Sequence, residues 1–119
     1  MIPDVRLRPK AAETMALAIH ELATNSVKYG ALSKTTGRVE AVWRIDPAER
    51  VPQLRFQWAE AGGPPIETTP DRRGFGTELL ERTLAYELKA KTTLKFDRMG
   101  LRCTIVMPLT EQVLQSEEI

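Results

Sequence analysis

The residues whose types and spacing could do chemistry are concentrated in one helical stretch. At about 100° per residue, Glu21, Asn25 and Lys28 fall within roughly a 60° arc, with Thr14 and Thr24 on the same side. The three side chains supply a proton acceptor, a neutral oxygen ligand of the kind that Mg²⁺ accepts, and a cation for an anionic group. Asparagine is also a poor residue for the middle of a helix. The pattern fits a metal-phosphate site and an ordinary amphipathic helix about equally well, and the rest of the chain has to decide between them.

A glycine pair marks the start of a second helical stretch. Gly74 and Gly76 follow directly after Arg72 and Arg73. Glycine lets backbone N–H groups approach an anion, and a helix N-terminus adds the positive end of its dipole. The stretch has neither the Gly-Lys-Ser/Thr of a P-loop nor the third glycine of a dinucleotide fingerprint. It is either a phosphate-contacting turn or a plain helix cap.

An acidic residue leaves a predicted strand just before two glycines. Glu60 follows Trp58 by two positions and precedes Gly62 and Gly63. A carboxylate placed there could accept a hydrogen bond from an exocyclic amine such as the amino group of adenine. The alternative is a solvated strand end. Trp58 itself is expected in the core rather than stacked on a ligand.

The single histidine and the single cysteine exclude several kinds of site. His20 cannot form a histidine metal pair, and it flanks the apolar side of its helix, so we expect a hydrogen-bonded structural histidine. Cys103 excludes an internal disulfide and a thiolate metal cluster, and its inward alternation on a strand predicts a core residue.

Composition limits the class of protein. The 119 residues, 42% hydrophobic and 28% charged, suit one small domain spanning residues 1–119, or a piece of a larger protein. A formal net charge of +1 gives no support for a nucleic-acid or anionic-membrane surface, so neither partner is expected. The sequence has no apolar run long enough to span a bilayer and no signal-peptide pattern, so we expect a cytoplasmic location.

Hydrophobic periodicity predicts the elements that position these residues. The first helix is expected over 10–29, opened by Pro9 and stopped by Gly30, with Ile19 and Val27 among its core-facing residues. The second helix is expected over 74–89, and strands over 37–46, 54–58, 92–96 and 101–107.

The two ends of the chain are less regular. Residues 1–9 alternate as an edge strand would, and residues 109–119 are expected to be a frayed helix or a disordered tail. Because each strand has one apolar face, the pattern predicts an α+β two-layer sandwich. Its sheet would be mixed but mostly antiparallel, with the helices on one face.

Taken in chain order, these motifs resemble the catalytic ATP-binding domain of the HWE family of bacterial sensor histidine kinases, in the GHKL (Bergerat-fold) ATPase group. Residues 20–33 resemble the family's N-box, and Trp58-Ala59-Glu60 resembles its Trp-x-Glu motif. Residues 73–77 resemble the glycine box after the ATP lid, and residues 103–108 the terminal strand. The resemblance covers nearly the whole chain.

The resemblance implies ATP and Mg²⁺ as ligands. Asn25 would bind the Mg²⁺ that bridges the ATP phosphates, and Glu21 would act beside it as a metal-shell or acid/base residue. Glu60 would read adenine, and Gly62 and Gly63 would let the base lie close to the backbone. The further nucleotide-binding residues implied are His20, Lys28, Tyr29, Arg73, Gly74, Phe75, Gly76 and Thr77. Residues 64–73 would form a short ATP lid.

The resemblance also implies a protein-histidine kinase that acts within a two-component system. Such kinases transfer the γ-phosphoryl group to a histidine on a dimerisation domain that this chain does not contain, and a response regulator receives it afterwards. We therefore expect ATP binding by this chain and little autophosphorylation. Two alternatives stay open: a stand-alone GHKL ATPase or protein serine kinase, and a degenerate interaction module that no longer binds nucleotide.

Overall fold

The computed structural model describes residues 5–47, 50–66, 75–110 and 113, with the side chains of residues 75–77 excepted. Within them the chain forms two α-helices, a short 3₁₀ turn and four strands. In chain order these are α1 (Pro9–Lys28), the 3₁₀ turn (Ala31–Ser33), β1 (Arg38–Asp46), β2 (Gln53–Ala61), α2 (Phe75–Leu88), β3 (Lys91–Asp97) and β4 (Gly100–Pro108). Both helices and all four strands begin and end within three residues of the predicted bounds.

The four strands form one sheet in the order β1-β2-β4-β3. All three pairings are antiparallel, with Trp58 opposite Cys103 and Cys103 opposite Leu94 across the centre. The strand β4 therefore lies between β2 and β3, although α2 separates β2 from β3 in the chain. The predicted α+β two-layer sandwich is confirmed.

The core lies between one face of the sheet and the two helices. Inward positions alternate along the two central strands, as period-2 patterning requires. They are Leu54, Phe56 and Trp58 on β2 and Cys103, Ile105 and Met107 on β4. The core predictions for Trp58 and Cys103 are confirmed, since their exposed fractions are 5% and 1%.

Helix α1 buries a narrower stripe than its sequence suggests. Pro9 lies in its first turn, where a missing N–H costs no hydrogen bond. The prediction that Ile19 and Val27 face the core is wrong: both are exposed, at 39% and 58%. Both helices cover the same sheet face, so only one side of α1 meets the core. Thr14, assigned to the polar stripe, is buried instead and donates its hydroxyl to the Lys10 carbonyl (3.0 Å).

The first residues that the structure describes meet Val113 beside the core. Of the predicted edge strand, residues 1–4 lie outside the described residues, and Leu7 forms only an isolated β-bridge. The Arg8 N–H donates to the Val113 carbonyl (2.8 Å). Leu109 and Val113 are buried in the core, so the prediction of a loose tail is wrong at these two positions. Apolar side chains next to an open edge of the core stabilise the fold by removing apolar surface from water.

Among the described residues, neither helix has the length and apolar character needed to cross a membrane.

Candidate functional site

A cavity of about 230 Å³ opens between the two helices and the inner face of the sheet. Its walls come from the C-terminal half of α1, the N-terminal half of α2 and the strands β2, β3 and β4. Much of the lining is apolar, including Leu22, Leu80, Leu94 and Phe96. An apolar pocket with a few convergent polar groups is the usual form of a small-molecule site.

The polar stripe of α1 reaches this cavity through Glu21 and Asn25. The Asn25 Nδ2 group donates a hydrogen bond to Glu21 Oε2 (3.0 Å), one helical turn away. Both residues are half-buried and line the cavity. Because the amide acts here as the donor, its carboxamide oxygen is the atom of Asn25 suited to a cation.

The Glu60 carboxylate lies at the end of the cavity beside the turn that follows α1. It is buried, with an exposed fraction of 6%, so the alternative of a solvated strand end is wrong. The Ala31 N–H donates to Oε1 (2.9 Å), and the Trp58 indole Nε1–H donates to Oε2 (2.9 Å). A carboxylate offers about four lone-pair sites, so these two bonds leave it able to accept another.

Close backbone packing surrounds this carboxylate. A Cβ on Gly30 would clash with Glu60 Oε1, so a larger residue there would have to displace the carboxylate. Gly62 has a φ of +78°, which favours glycine, and its carbonyl accepts the Thr36 hydroxyl (2.7 Å). These contacts tie the end of β2 to the segment between α1 and β1.

Thr92 supplies a polar atom at the opposite end of the cavity. Trp58 and Leu94 both pair with Cys103, and β2 and β3 run in the same direction because each is antiparallel to β4. Glu60 comes two residues after Trp58, whereas Thr92 comes two residues before Leu94, so they lie on opposite sides of this level. The two are therefore separated by about 13 Å along the strand direction. The Thr92 hydroxyl is buried and has no hydrogen-bond partner within the described part of the chain.

Cys103 lines the wall between these two ends. Burial, with a smaller effect from the negative charge of Glu81, raises the pKa of the thiol to about 12. The side chain is therefore a neutral, apolar-like wall residue near pH 7, and not a nucleophile.

Comparison with known proteins identifies the kind of domain. No family model matches the sequence. Over 111 residues, or 93% of its length, the chain is 40% identical to the blue-light-activated histidine kinases of Brucella ovis and Brucella abortus, and 38% identical to that of Brucella anthropi. The fold matches the histidine kinase domain of the Erythrobacter litoralis EL346 blue-light-activated histidine kinase. That match has a TM-score of 0.74 at 22% identity, and covers 93% of this chain and 53% of the other. The chain is therefore similar to the catalytic domain of sensor histidine kinases.

The chain spans 22% of the length of the curated relatives that it matches. Several of the residues predicted from its sequence come together in the structure. Those that line the cavity are Glu21, Asn25, Tyr29, Glu60 and Gly63. Tyr29 lies at the rim, since about half of its side chain is exposed.

Other residues predicted for the site lie elsewhere. Lys28 and Gly62 are not among the residues that line the cavity. His20 is also absent from the lining, and it is exposed, which corrects its prediction as a structural histidine flanking the core. Arg73 and Gly74 lie outside the described residues. Phe75, Gly76 and Thr77 form the first turn of α2, where side chains are not described.

Thr92 and Ala31 contribute polar groups to the site and were not among the predicted site residues. Thr92 shares the inward face of β3 with Leu94 and Phe96, so strand alternation could have identified it. Ala31 acts through its backbone N–H, and a backbone group leaves no signal in the residue type.

Proposed function

We propose that this kinase domain binds Mg²⁺-ATP in the cavity and presents the γ-phosphoryl group to a histidine on a dimerisation domain of the same kinase. A response regulator would then receive the phosphoryl group. The observation that carries the proposal is the buried Glu60 carboxylate, which lines an apolar cavity and is held by two hydrogen bonds. The resemblance to HWE-type kinases of the GHKL group supports the same reading.

The base would bind at the Glu60 end of the cavity. An adenine amino group is a hydrogen-bond donor, and Glu60 retains acceptor capacity beyond the bonds from Ala31 and Trp58. Apolar walls such as Leu94 and Phe96 suit the faces of a heterocycle. The donor and acceptor types at this end therefore fit adenine.

The phosphates would extend along α1 toward Asn25 and Glu21. Mg²⁺ commonly takes one or two protein oxygens and completes its shell with water and substrate phosphates. The Asn25 carboxamide oxygen fits that role, with Glu21 holding the amide in place through its hydrogen bond. Bound Mg²⁺ would supply neutralisation of the phosphate charge. Lys28 and residues 73–77 would add cationic and backbone contacts to the phosphates.

The chain's own residues would act mainly by positioning. Phosphoryl transfer depends on alignment and charge stabilisation more than on covalent chemistry by the protein. Glu60 would fix the base, and the Asn25–Glu21 pair would fix the phosphate end. The acceptor histidine would approach from outside this chain, so activity of the chain alone should be low.

Calorimetric titration with a non-hydrolysable ATP analogue, with and without Mg²⁺, tests the proposal. We expect saturable binding that strengthens when Mg²⁺ is present. Absence of binding at millimolar ligand would contradict the proposal and favour the degenerate module. Steady ATP turnover without any added helical domain would favour the stand-alone ATPase.

A further inference from the structure

We propose that Trp58 is a positioning residue for Glu60: its indole N–H holds the carboxylate where it accepts a hydrogen bond from a 6-amino purine, and so contributes to the preference for adenine over guanine nucleotides. This inference rests on the proposed function. It assigns to Trp58 a role that core packing alone does not require.

The Trp-x-Glu spacing makes the contact possible. Residues two apart on a strand point to the same face, so Trp58 and Glu60 both project inward from β2. The indole Nε1 lies 2.9 Å from Glu60 Oε2, and both side chains are buried. The indole N–H can only donate, so this bond commits one oxygen of Glu60 to the tryptophan.

The second donor comes from a different element and completes the clamp. The Ala31 N–H, in the turn after α1, donates to the other oxygen of Glu60 at 2.9 Å. With one donor on each oxygen, the carboxylate cannot rotate without breaking a buried bond to a charged group. Such bonds are about twice as strong as neutral ones. The remaining lone pairs are thereby aimed in fixed directions while the side chain lines the cavity.

A fixed acceptor discriminates between purines through repulsion as well as attraction. Adenine carries an amino group at the position where guanine carries a carbonyl oxygen. A clamped carboxylate would face that oxygen and could not turn away, whereas a released carboxylate could. Loss of the indole N–H should therefore weaken adenine binding more than guanine binding.

Trp58→Phe removes the N–H and keeps an aromatic ring in the core. We expect the preference for adenine over guanine analogues, each titrated by calorimetry, to fall about threefold to tenfold. Trp43→Phe is the matched control, because Trp43 is the other tryptophan and lies on the neighbouring strand β1. That variant should keep the preference of the unsubstituted chain.

A double-variant cycle separates positioning from packing. If Trp58 acts through Glu60, Trp58→Phe should change the nucleotide preference little once Glu60→Gln is present. Equal weakening of both nucleotides by Trp58→Phe, or full additivity with Glu60→Gln, would overturn the inference. Thermal unfolding of each variant reports separately on packing.

A spectroscopic measurement on the unsubstituted chain does not depend on the variant folding. The two tryptophans give two indole N–H signals in a proton–nitrogen correlation spectrum. We expect the Trp58 signal to move when the adenine analogue binds and to move less with the guanine analogue. If the Trp58 signal shifts with neither analogue while calorimetry detects binding, the positioning role is refuted.

The outcomes also distinguish this inference from the proposed function. If the unsubstituted chain binds neither analogue, both the proposed function and this inference fail. Adenine binding with an unchanged preference in Trp58→Phe removes this inference alone.

Discussion

Glu60 and Glu21 both line the cavity, but they are held in different ways. Glu60 is buried, and its two donors are Trp58, two residues back on the same strand, and Ala31, which is 29 residues away in sequence. Glu21 is half-buried, and its partner Asn25 lies one turn along the same helix. The Glu60 end thus depends on one local bond and one bond between distant elements, whereas the Glu21 end is built within a single helix.

This difference suits two kinds of recognition. A base is rigid and is recognised best by a donor–acceptor pattern that cannot adjust. A hydrated cation with phosphates brings its own water ligands and tolerates a more open, adjustable site. Substitutions at the two ends should therefore affect different properties of nucleotide binding.

Asn25→Ala should produce the largest effect, at the Glu21 end. Removal of the carboxamide oxygen should abolish the part of ATP-analogue affinity that depends on Mg²⁺, a loss on the order of a hundredfold, while the fold is kept. Alanine is the better helix former and the site is half-buried, so the melting temperature should not fall. Calorimetry with and without Mg²⁺ measures the effect.

The adjacent variant Thr24→Ala serves as the control for this helix. It should leave the Mg²⁺ dependence unchanged, because Thr24 does not line the cavity. Asn25→Ala with an intact Mg²⁺ dependence would remove Asn25 from the metal site.

Glu60→Ala should be the next largest, at the base end. Loss of one buried charged hydrogen bond should weaken adenine-analogue binding by about 1–3 kcal/mol and relax the preference for adenine over guanine. Glu40→Ala is the matched control, since this exposed glutamate lies on the adjacent strand β1. Equal loss for both nucleotides would instead indicate a folding defect.

The same contrast explains what the sequence could predict. The Glu21–Asn25 pair depends only on helical spacing, which is visible in residue order. The strands and the core positions of Trp58 and Cys103 follow from period-2 alternation, which was also visible.

Contacts between segments that are distant in the chain could not be predicted from the sequence. Alternation places Glu60 on the inward face, but it cannot name the Ala31 N–H as a partner, because a backbone donor has no residue signature. Four predictions of burial or exposure were wrong for a related reason. Leu109 and Val113 are buried, and Ile19 and Val27 are exposed. Which apolar residues are covered depends on how many elements share the sheet face, and periodicity does not report that number.

Cys103 allows a test of how far water is excluded from the middle of the cavity wall. Its pKa in the folded chain is about 12, above the usual thiol value, so the folded state holds the proton more tightly. The stabilisation is complete below about pH 8.5 and should be lost as pH rises toward 12, at up to about 1.4 kcal/mol per pH unit. Other groups also titrate there, so the measured quantity is the difference in unfolding free energy between the unsubstituted chain and Cys103→Val. A difference that stays constant from pH 8 to 11 would mean that the thiol is hydrated.

Thr92→Val should give the smallest change in nucleotide affinity among these variants, and it should stabilise the fold. The buried hydroxyl has no partner among the described residues, so an isosteric apolar side chain should raise the free energy of unfolding by about 1 kcal/mol. Thr93→Val, at an exposed neighbouring position, should change that free energy by less than about 0.5 kcal/mol.

Because Thr92 lies about 13 Å along the strand direction from Glu60, a base held by Glu60 should not reach it. Affinity for the ATP analogue should then change by less than about twofold, within the range typical of substitutions outside a site. A large loss of affinity would instead place the base at the Thr92 end, and Glu60 would then serve the turn after α1 rather than the nucleotide.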